Sequence, residues 1–216
     1  MISYDKKCIF IHIPKCGGTS IEKLIWPRSE DRTEANLWMG FISKYRNKYQ
    51  TGGLQHLLAR QIREEVGIDV FESFYKFAIV RNPWDRAVSQ YSYMQTRPDL
   101  MDFIGMQPET EFKHYLQLIQ EKQHVQWMSQ IDFLLDHDGT LLVDRLCRLE
   151  KLETDLTDIF DILGLCIESN KIIHANRSKR KNIDHYYSDQ ESIDLVGELY
   201  YKDIEYLNYS FNLILS

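Results

Sequence analysis

The sequence holds few of the signatures that mark common protein classes. Only four of its 216 residues are cysteine, Cys8, Cys16, Cys147 and Cys166, and no two are spaced C-x-x-C. This excludes a zinc-ribbon or dithiol pattern and a dense disulfide framework, and predicts reduced thiols in a cytoplasmic protein. Seven histidines occur without an H-E-x-x-H string, so no metal centre is expected. No apolar run approaches the roughly 20 residues that span a bilayer, and the first apolar segment is entered without the leader of a secreted protein. In that setting the glycosylation patterns Asn176-Arg-Ser178 and Asn208-Tyr-Ser210 read as incidental. Positive charge is also in deficit, with 26 Lys+Arg against 32 Asp+Glu and a net charge of −6. Bulk attraction to nucleic acid or an anionic membrane is thereby excluded, and any anion must be held by a local cluster of Lys and Arg. The string G-x-x-x-x-G-K-[ST] is missing, which disfavours an ATP- or GTP-hydrolysing enzyme. Internal repeats, low-complexity segments and linkers are missing too, so residues 1–216 are expected to form one domain. No apolar stripe separable from the core indicates an oligomeric state.

What is present organises around Phe10-Ile11-His12-Ile13-Pro14-Lys15-Cys16-Gly17-Gly18-Thr19-Ser20-Ile21. Residues 8–13 are apolar except for His12 and rich in β-branched side chains, the pattern of a strand buried on both faces. Gly17 and Gly18 let backbone N–H groups approach a ligand, and Thr19-Ser20 open a helix through Ile21, Leu24 and Ile25. A helix start with a positive dipole end binds phosphate, and Lys15 adds a full charge there. An ordinary strand-to-helix turn with a surface lysine accounts for the same residues equally well. Cys16, beside Lys15 at a helix start, meets the conditions for a lowered thiol pKa, but its position in the turn points instead to a backbone contact, with the thiol incidental.

After Trp26-Pro27 a polar segment to about residue 50 predicts an irregular excursion. Leu54, Leu57, Leu58, Ile62 and Val66 have helical spacing, ending at Gly67, with His56 near the start. Residues 74–80 read as a second buried strand. It ends in Arg81-Asn82-Pro83-Trp84-Asp85-Arg86, with Asn82 as N-cap and Pro83 at the first helical position. Residues 96–130 read as loop and helix, with Phe112, Tyr115, Leu116 and Ile119 on one face. Residues 131–143 predict a short hairpin about Asp138-Gly139. A helix from Leu149-Glu150-Lys151-Leu152 stops at Gly164, a basic run covers 176–181, and a last helix covers 189–207. If the two buried strands are parallel, both turns share the sheet edge where open α/β sheets bind ligands. Arg81 and Ser89 could then hold one phosphate from two sides.

Residues 11–20 closely resemble the 5′-phosphosulfate loop of sulfotransferases that use 3′-phosphoadenosine 5′-phosphosulfate (PAPS). Phe77-Ala78-Ile79-Val80-Arg81-Asn82-Pro83-Trp84-Asp85-Arg86, with Ser89, is similar to their 3′-phosphate motif. The order and separation of the two motifs also match. The resemblance is closest to the carbohydrate-type branch that includes heparan sulfate 2-O-sulfotransferases and bacterial relatives. It extends loosely through Leu149-Glu150-x-Leu152 to Tyr206-Leu207-Asn208-Tyr209, whereas residues 27–52 and 96–130 carry no matching motif. It implies an α/β fold with a central parallel sheet flanked by helices, of the P-loop nucleotide-kinase-like kind. PAPS would be the donor and PAP the product, with no metal and a hydroxyl-bearing, glycan-type acceptor. Lys15 would act on the oxygen bridging phosphate and sulfur. Cys16, Gly17, Gly18, Thr19 and Ser20 would hold the 5′-phosphate, and Arg81 and Ser89 the 3′-phosphate. Ser178 and Lys179 would cover the nucleotide. The reaction needs a base for the acceptor hydroxyl, and a histidine suits neutral pH; the resemblance assigns His56, with His12 as the alternative. A kinase-like phosphotransferase and a non-catalytic nucleotide-binding protein are the competing readings.

Overall fold

The computed structural model describes residues 1–47, 52–165 and 182–214. Its centre is a four-stranded sheet in the order β1 (Ile2–Ser3), β2 (Cys8–Ile11), β3 (Tyr75–Val80), β4 (Arg145–Arg148). The short edge pair β1 and β2 is antiparallel, while β2 with β3 and β3 with β4 are parallel. All four residues of β2 are buried, as a strand covered on both faces requires. At roughly 1.5–3 kcal/mol for each fully buried large apolar side chain, Ile9, Phe10, Phe77 and Ile79 anchor the sheet.

The register aligns Phe10 with Phe77 and Ile11 with Ala78, and in turn Val80 with Arg148. The chain therefore leaves all three parallel strands at one edge. There β2 leads through the Pro14-Lys15 turn into α1 (Gly18–Ile25), β3 leads into α4 (Pro83–Met94), and β4 leads through a 3₁₀ turn into α7 (Leu152–Leu163). Between β2 and β3 run α2 (Ala59–Val66) and α3 (Ile68–Ser73). Between β3 and β4 run α5 (Pro98–Ile104) and α6 (Phe112–Gln120), and α8 (Gln190–Leu199) and α9 (Tyr201–Leu207) close the chain. One apolar cluster packs around the sheet with α1, α2 and α7. A second is mainly helical, built from Val88 of α4, Tyr115 and Leu116 of α6, and Val196 and Tyr200 near the chain's end.

Several expectations hold in detail. Asn82 caps α4, its side chain accepting from the Trp84 N–H, with Pro83 at the first helical position. Phe112, Tyr115, Leu116 and Ile119 are the buried face of α6. Others need correction. The hairpin at 131–143 does not form: Ile131–Phe133 is a 3₁₀ turn and only an isolated bridge joins Leu135 to Leu141. The third parallel strand is β4, at the sheet edge, where Arg145-Leu146-Cys147-Arg148 has charged ends and too short an apolar pair to signal a buried strand. The helix expected from Leu54 splits into a 3₁₀ turn, Leu54–His56, an extended pair at Leu57 and Leu58, and then α2. The last helix breaks at Tyr200 (φ −120°, ψ 27°), whose ring is buried about 5.6 Å from the Arg86 guanidinium. Among the described residues no helix is long and apolar enough to cross a membrane.

Candidate active site

The turn after β2 is strained. Lys15 has φ 67° and Gly17 φ 81°, so two left-handed residues bracket Cys16. Only glycine adopts that region freely, and such alternation gathers successive N–H groups into an anion-binding concavity. Among the described residues the N–H groups of Gly17, Gly18 and Thr19 make no hydrogen bond to protein, while that of Ser20 turns back to the Gly17 carbonyl at 3.2 Å. These donors and the positive end of α1 together suit a phosphate. Gly18 is required for a second reason: a Cβ there would lie 2.2 Å from Cδ2 of His12.

Lys15 is partly buried, and burial with the neighbouring Arg81 charge lowers its pKa to about 8. Its ammonium sits 4.2 Å from the centroid of the Tyr93 ring, a contact that favours the charged form. The Arg81 guanidinium is buried and each of its three nitrogens has a protein partner, contacts that call on three of its five N–H donors. Nε and Nη2 donate to or pair with Oδ2 of Asp85 at 2.8 and 2.7 Å, and Nη1 donates to the Lys15 carbonyl at 2.9 Å. Arg86 clamps the same turn from α4, donating through Nε to the Pro14 carbonyl at 3.0 Å and through Nη1 to Met128 at 2.9 Å. Ser89 is buried. Lying three residues after Arg86 and four before Tyr93, it shares their helix face, which turns toward the Pro14-Lys15 turn.

The Cys16 thiol is incidental to the site, and the lowered pKa that a helix start and a lysine favour does not occur. Cys16 is wholly buried, and removal from water pushes its thiol up to about 12 despite the nearby Arg86 and Arg81. Desolvation outweighs the helix terminus, so the thiol is inert; it donates to Oε1 of Gln130 at 3.2 Å.

His56 lies in the crossover from β2 to β3, its ring 4.8 Å from that of His12. Its Nδ1 is 3.0 Å from the His12 carbonyl oxygen. A carbonyl can only accept, so Nδ1 carries the proton and Nε2 the lone pair. Burial, reinforced by His12, lowers the His56 pKa to about 3, so the imidazole is neutral at physiological pH. His12 is itself buried between strand and helix, its Nδ1 2.8 Å from Oε1 of Glu22 but outside hydrogen-bond alignment. The structure thus brings Lys15, Cys16, Gly17, Gly18, Thr19, Ser20, Arg81 and Ser89 to one edge, with His56 against His12 beside them. Ser178 and Lys179 lie outside the described residues.

The supporting residues are ones the sequence did not expose. Gln130 is fully buried and reads the Arg81 backbone at both ends, accepting from its N–H and donating to its C=O, each at 2.8 Å. Asp203 on α9 accepts from the Gln130 and Ile131 N–H groups, both at 2.9 Å, and from the Ser129 hydroxyl; burial raises its pKa. Glu150 accepts from the Asn82 N–H at 2.6 Å and from the Tyr209 hydroxyl at 3.1 Å. Each joins segments distant in the chain, and only Glu150 lay within a recognised motif.

The chain is an α/β protein with two cation-bearing turns at the edge of its parallel strands, where open α/β sheets bind ligands. Residues 1–210 match the sulfotransferase family, and the chain belongs to that family; the carbohydrate branch fits it, and sulfuryl transfer to hydroxyl acceptors is its general chemistry. No match was found among curated proteins or among solved structures.

Proposed function

We propose that the protein transfers a sulfuryl group from PAPS to a hydroxyl of a carbohydrate-type acceptor, without a metal, in the cytoplasm. The observation that carries this reading is the Arg81–Lys15 hydrogen bond, which locks the two phosphate-type turns into one continuous edge. The residues fit the donor: the Gly17, Gly18 and Thr19 N–H groups with the Thr19 and Ser20 hydroxyls for the 5′-phosphate, and Arg81 with Ser89 for the 3′-phosphate. PAPS supplies the activated sulfuryl group. Nε2 of His56 accepts the acceptor's hydroxyl proton as its oxygen bonds to sulfur, and the electrons of the broken bond leave with the bridging phosphate oxygen. Lys15 stabilises the charge growing there. A pKa near 3 keeps His56 uncharged beforehand, and an anion arriving beside it raises its proton affinity. The carbohydrate branch of the resemblance supports the acceptor class, and the buried free thiols Cys8, Cys16 and Cys147 support a reducing compartment.

The test is thermal unfolding with PAP or ADP. PAP should raise the melting temperature well above the value with ADP, which lacks the 3′-phosphate. Equal shifts would remove Arg81 and Ser89 from the donor site.

A further inference from the structure

A cleft of about 720 Å³ opens between residues 46–47 and the segment running from α5 past α6, lined among others by Arg46, Asp99, Phe103, Lys122 and His124. It lies within the two stretches, 27–52 and 96–130, that match no motif. A short relay joins it to the reacting edge. The Lys15 ammonium packs on Tyr93, the Tyr93 hydroxyl accepts from Arg97, and Arg97 grips Asp99 in the cleft wall at 2.9 and 2.6 Å.

The lining has a definite chemistry. Phe103 is 46% exposed, a large aromatic face open to the cleft. It begins an aromatic wall in which His124 lies 5.8 Å from Phe103 and stacks on Trp127 at 4.9 Å. Burial lowers the His124 pKa, so that wall is uncharged at neutral pH. Asp99 is neutralised by Arg97. Arg46 and Lys122 are exposed and form no ion pair among the described residues, leaving two cations against Glu121 alone in a chain whose net charge is −6. Volume, aromatic platform and converging polar groups are those of a small-molecule site.

We propose that this cleft binds the acceptor, and that the acceptor is a ring compound bearing an acidic group. Its ring lies against Phe103, its acid meets Arg46 and Lys122, and its accepting hydroxyl lies on the Lys15 side. This inference rests on the sulfuryl-transfer reading. Phe103, Arg46 and Lys122 then set acceptor choice and leave the donor alone.

The experiment is isothermal titration of the PAP-saturated protein with two acid and neutral pairs, cellobiouronic acid with cellobiose and 4-hydroxyphenylacetate with 4-hydroxyphenylacetamide. In at least one pair the acid should bind about tenfold or more tightly than its neutral partner at low salt, because charge-assisted contacts are strong and screened. That preference should vanish in the Arg46→Gln, Lys122→Gln double variant, and Phe103→Ala should weaken both members of the pair. The pair that binds identifies the ring as sugar or aryl. Absence of binding by either acid, equal binding within both pairs, or a preference that survives the double variant would overturn the inference. If PAP binding is intact when this happens, the donor reading stands and the acceptor inference alone falls. If PAP itself fails to bind, both fall.

Discussion

Arg81 donates through Nη1 to the carbonyl oxygen of Lys15 at 2.9 Å, across 66 residues of chain. The bond orients the turn carrying Lys15 from the backbone side, leaving the lysine ammonium to lie on Tyr93. Arg86, in the first turns of α4, repeats the device on the Pro14 carbonyl. A strained, left-handed lysine is thereby held by two buried guanidinium groups, Arg81 just before α4 and Arg86 within it. Strain of this kind costs on the order of 1–3 kcal/mol and persists where the surroundings over-determine it.

Replacing His56 by alanine removes the proposed base and no group proposed to touch the donor. Transfer should fall by roughly 10²- to 10⁴-fold, the usual contribution of a positioned base, while the PAP dissociation constant changes by less than about twofold. Single-turnover rates with saturating donor measure the first, and titration the second. An unaltered rate would take the role from His56.

The lowered pKa of Lys15 makes donor affinity pH-dependent. Below about 8 the free protein presents a charged lysine; above it, burial and Arg81 favour the neutral amine. A bound anion raises that pKa, so binding PAP takes up a proton at alkaline pH and affinity falls as pH rises through 8 toward the bound-state pKa. The decline should approach tenfold per pH unit. It should disappear in Lys15→Arg, whose charge persists over that range. A flat profile from pH 7.5 to 9.5 in the unmodified protein would show that the ammonium does not meet the nucleotide.

Gly18→Ala sets helix propensity against packing. Alanine gains up to about 1 kcal/mol in a helix interior, but its Cβ would stand 2.2 Å from Cδ2 and 2.3 Å from Nε2 of His12. His12 is enclosed by Phe10, Glu22 and His56 and has little room to retreat. The clash should win, with a net loss of roughly 1–3 kcal/mol as in other overpacked cores. Urea unfolding measures it, and a midpoint equal to or above that of the unmodified protein would refute the steric account.

Gln130→Leu keeps approximate volume and removes the amide that pairs with both ends of the Arg81 backbone. Leaving buried groups unpaired costs about 1–3 kcal/mol. The urea midpoint should drop accordingly, and PAP affinity should drop with it because the peptide that positions Arg81 is released. Unchanged stability would mean that Gln130 is a bystander.

Legibility followed the range of the forces. Asn82-Pro83 as a helix start and Gly164 as a helix stop (φ 63°) were readable because each concerns only a few consecutive residues. Strands β2 and β3 were readable because burial on both faces writes an apolar run. Strand β4 was hidden by the charges that an edge strand tolerates. For the Cys16 thiol, local features, a helix start and a lysine, favour a lowered pKa, but enclosure beside Gln130 outweighs them and raises it, which only the folded surroundings decide.

By itself the sequence determined the two turns, their charged residues and the family they resemble, since glycine placement, capping and apolar runs act over a few residues. Tertiary structure alone decided how those turns meet. The contacts of Gln130 with Arg81, Glu150 with Asn82 and Asp203 with Gln130 span 49, 68 and 73 residues. A buried polar group shows no local pattern until folding supplies the partner that satisfies it. The same reason places His56 against the His12 carbonyl: the choice of tautomer, and with it the nitrogen that can accept a proton, exists only once β2 and the 3₁₀ turn at Leu54–His56 are packed together.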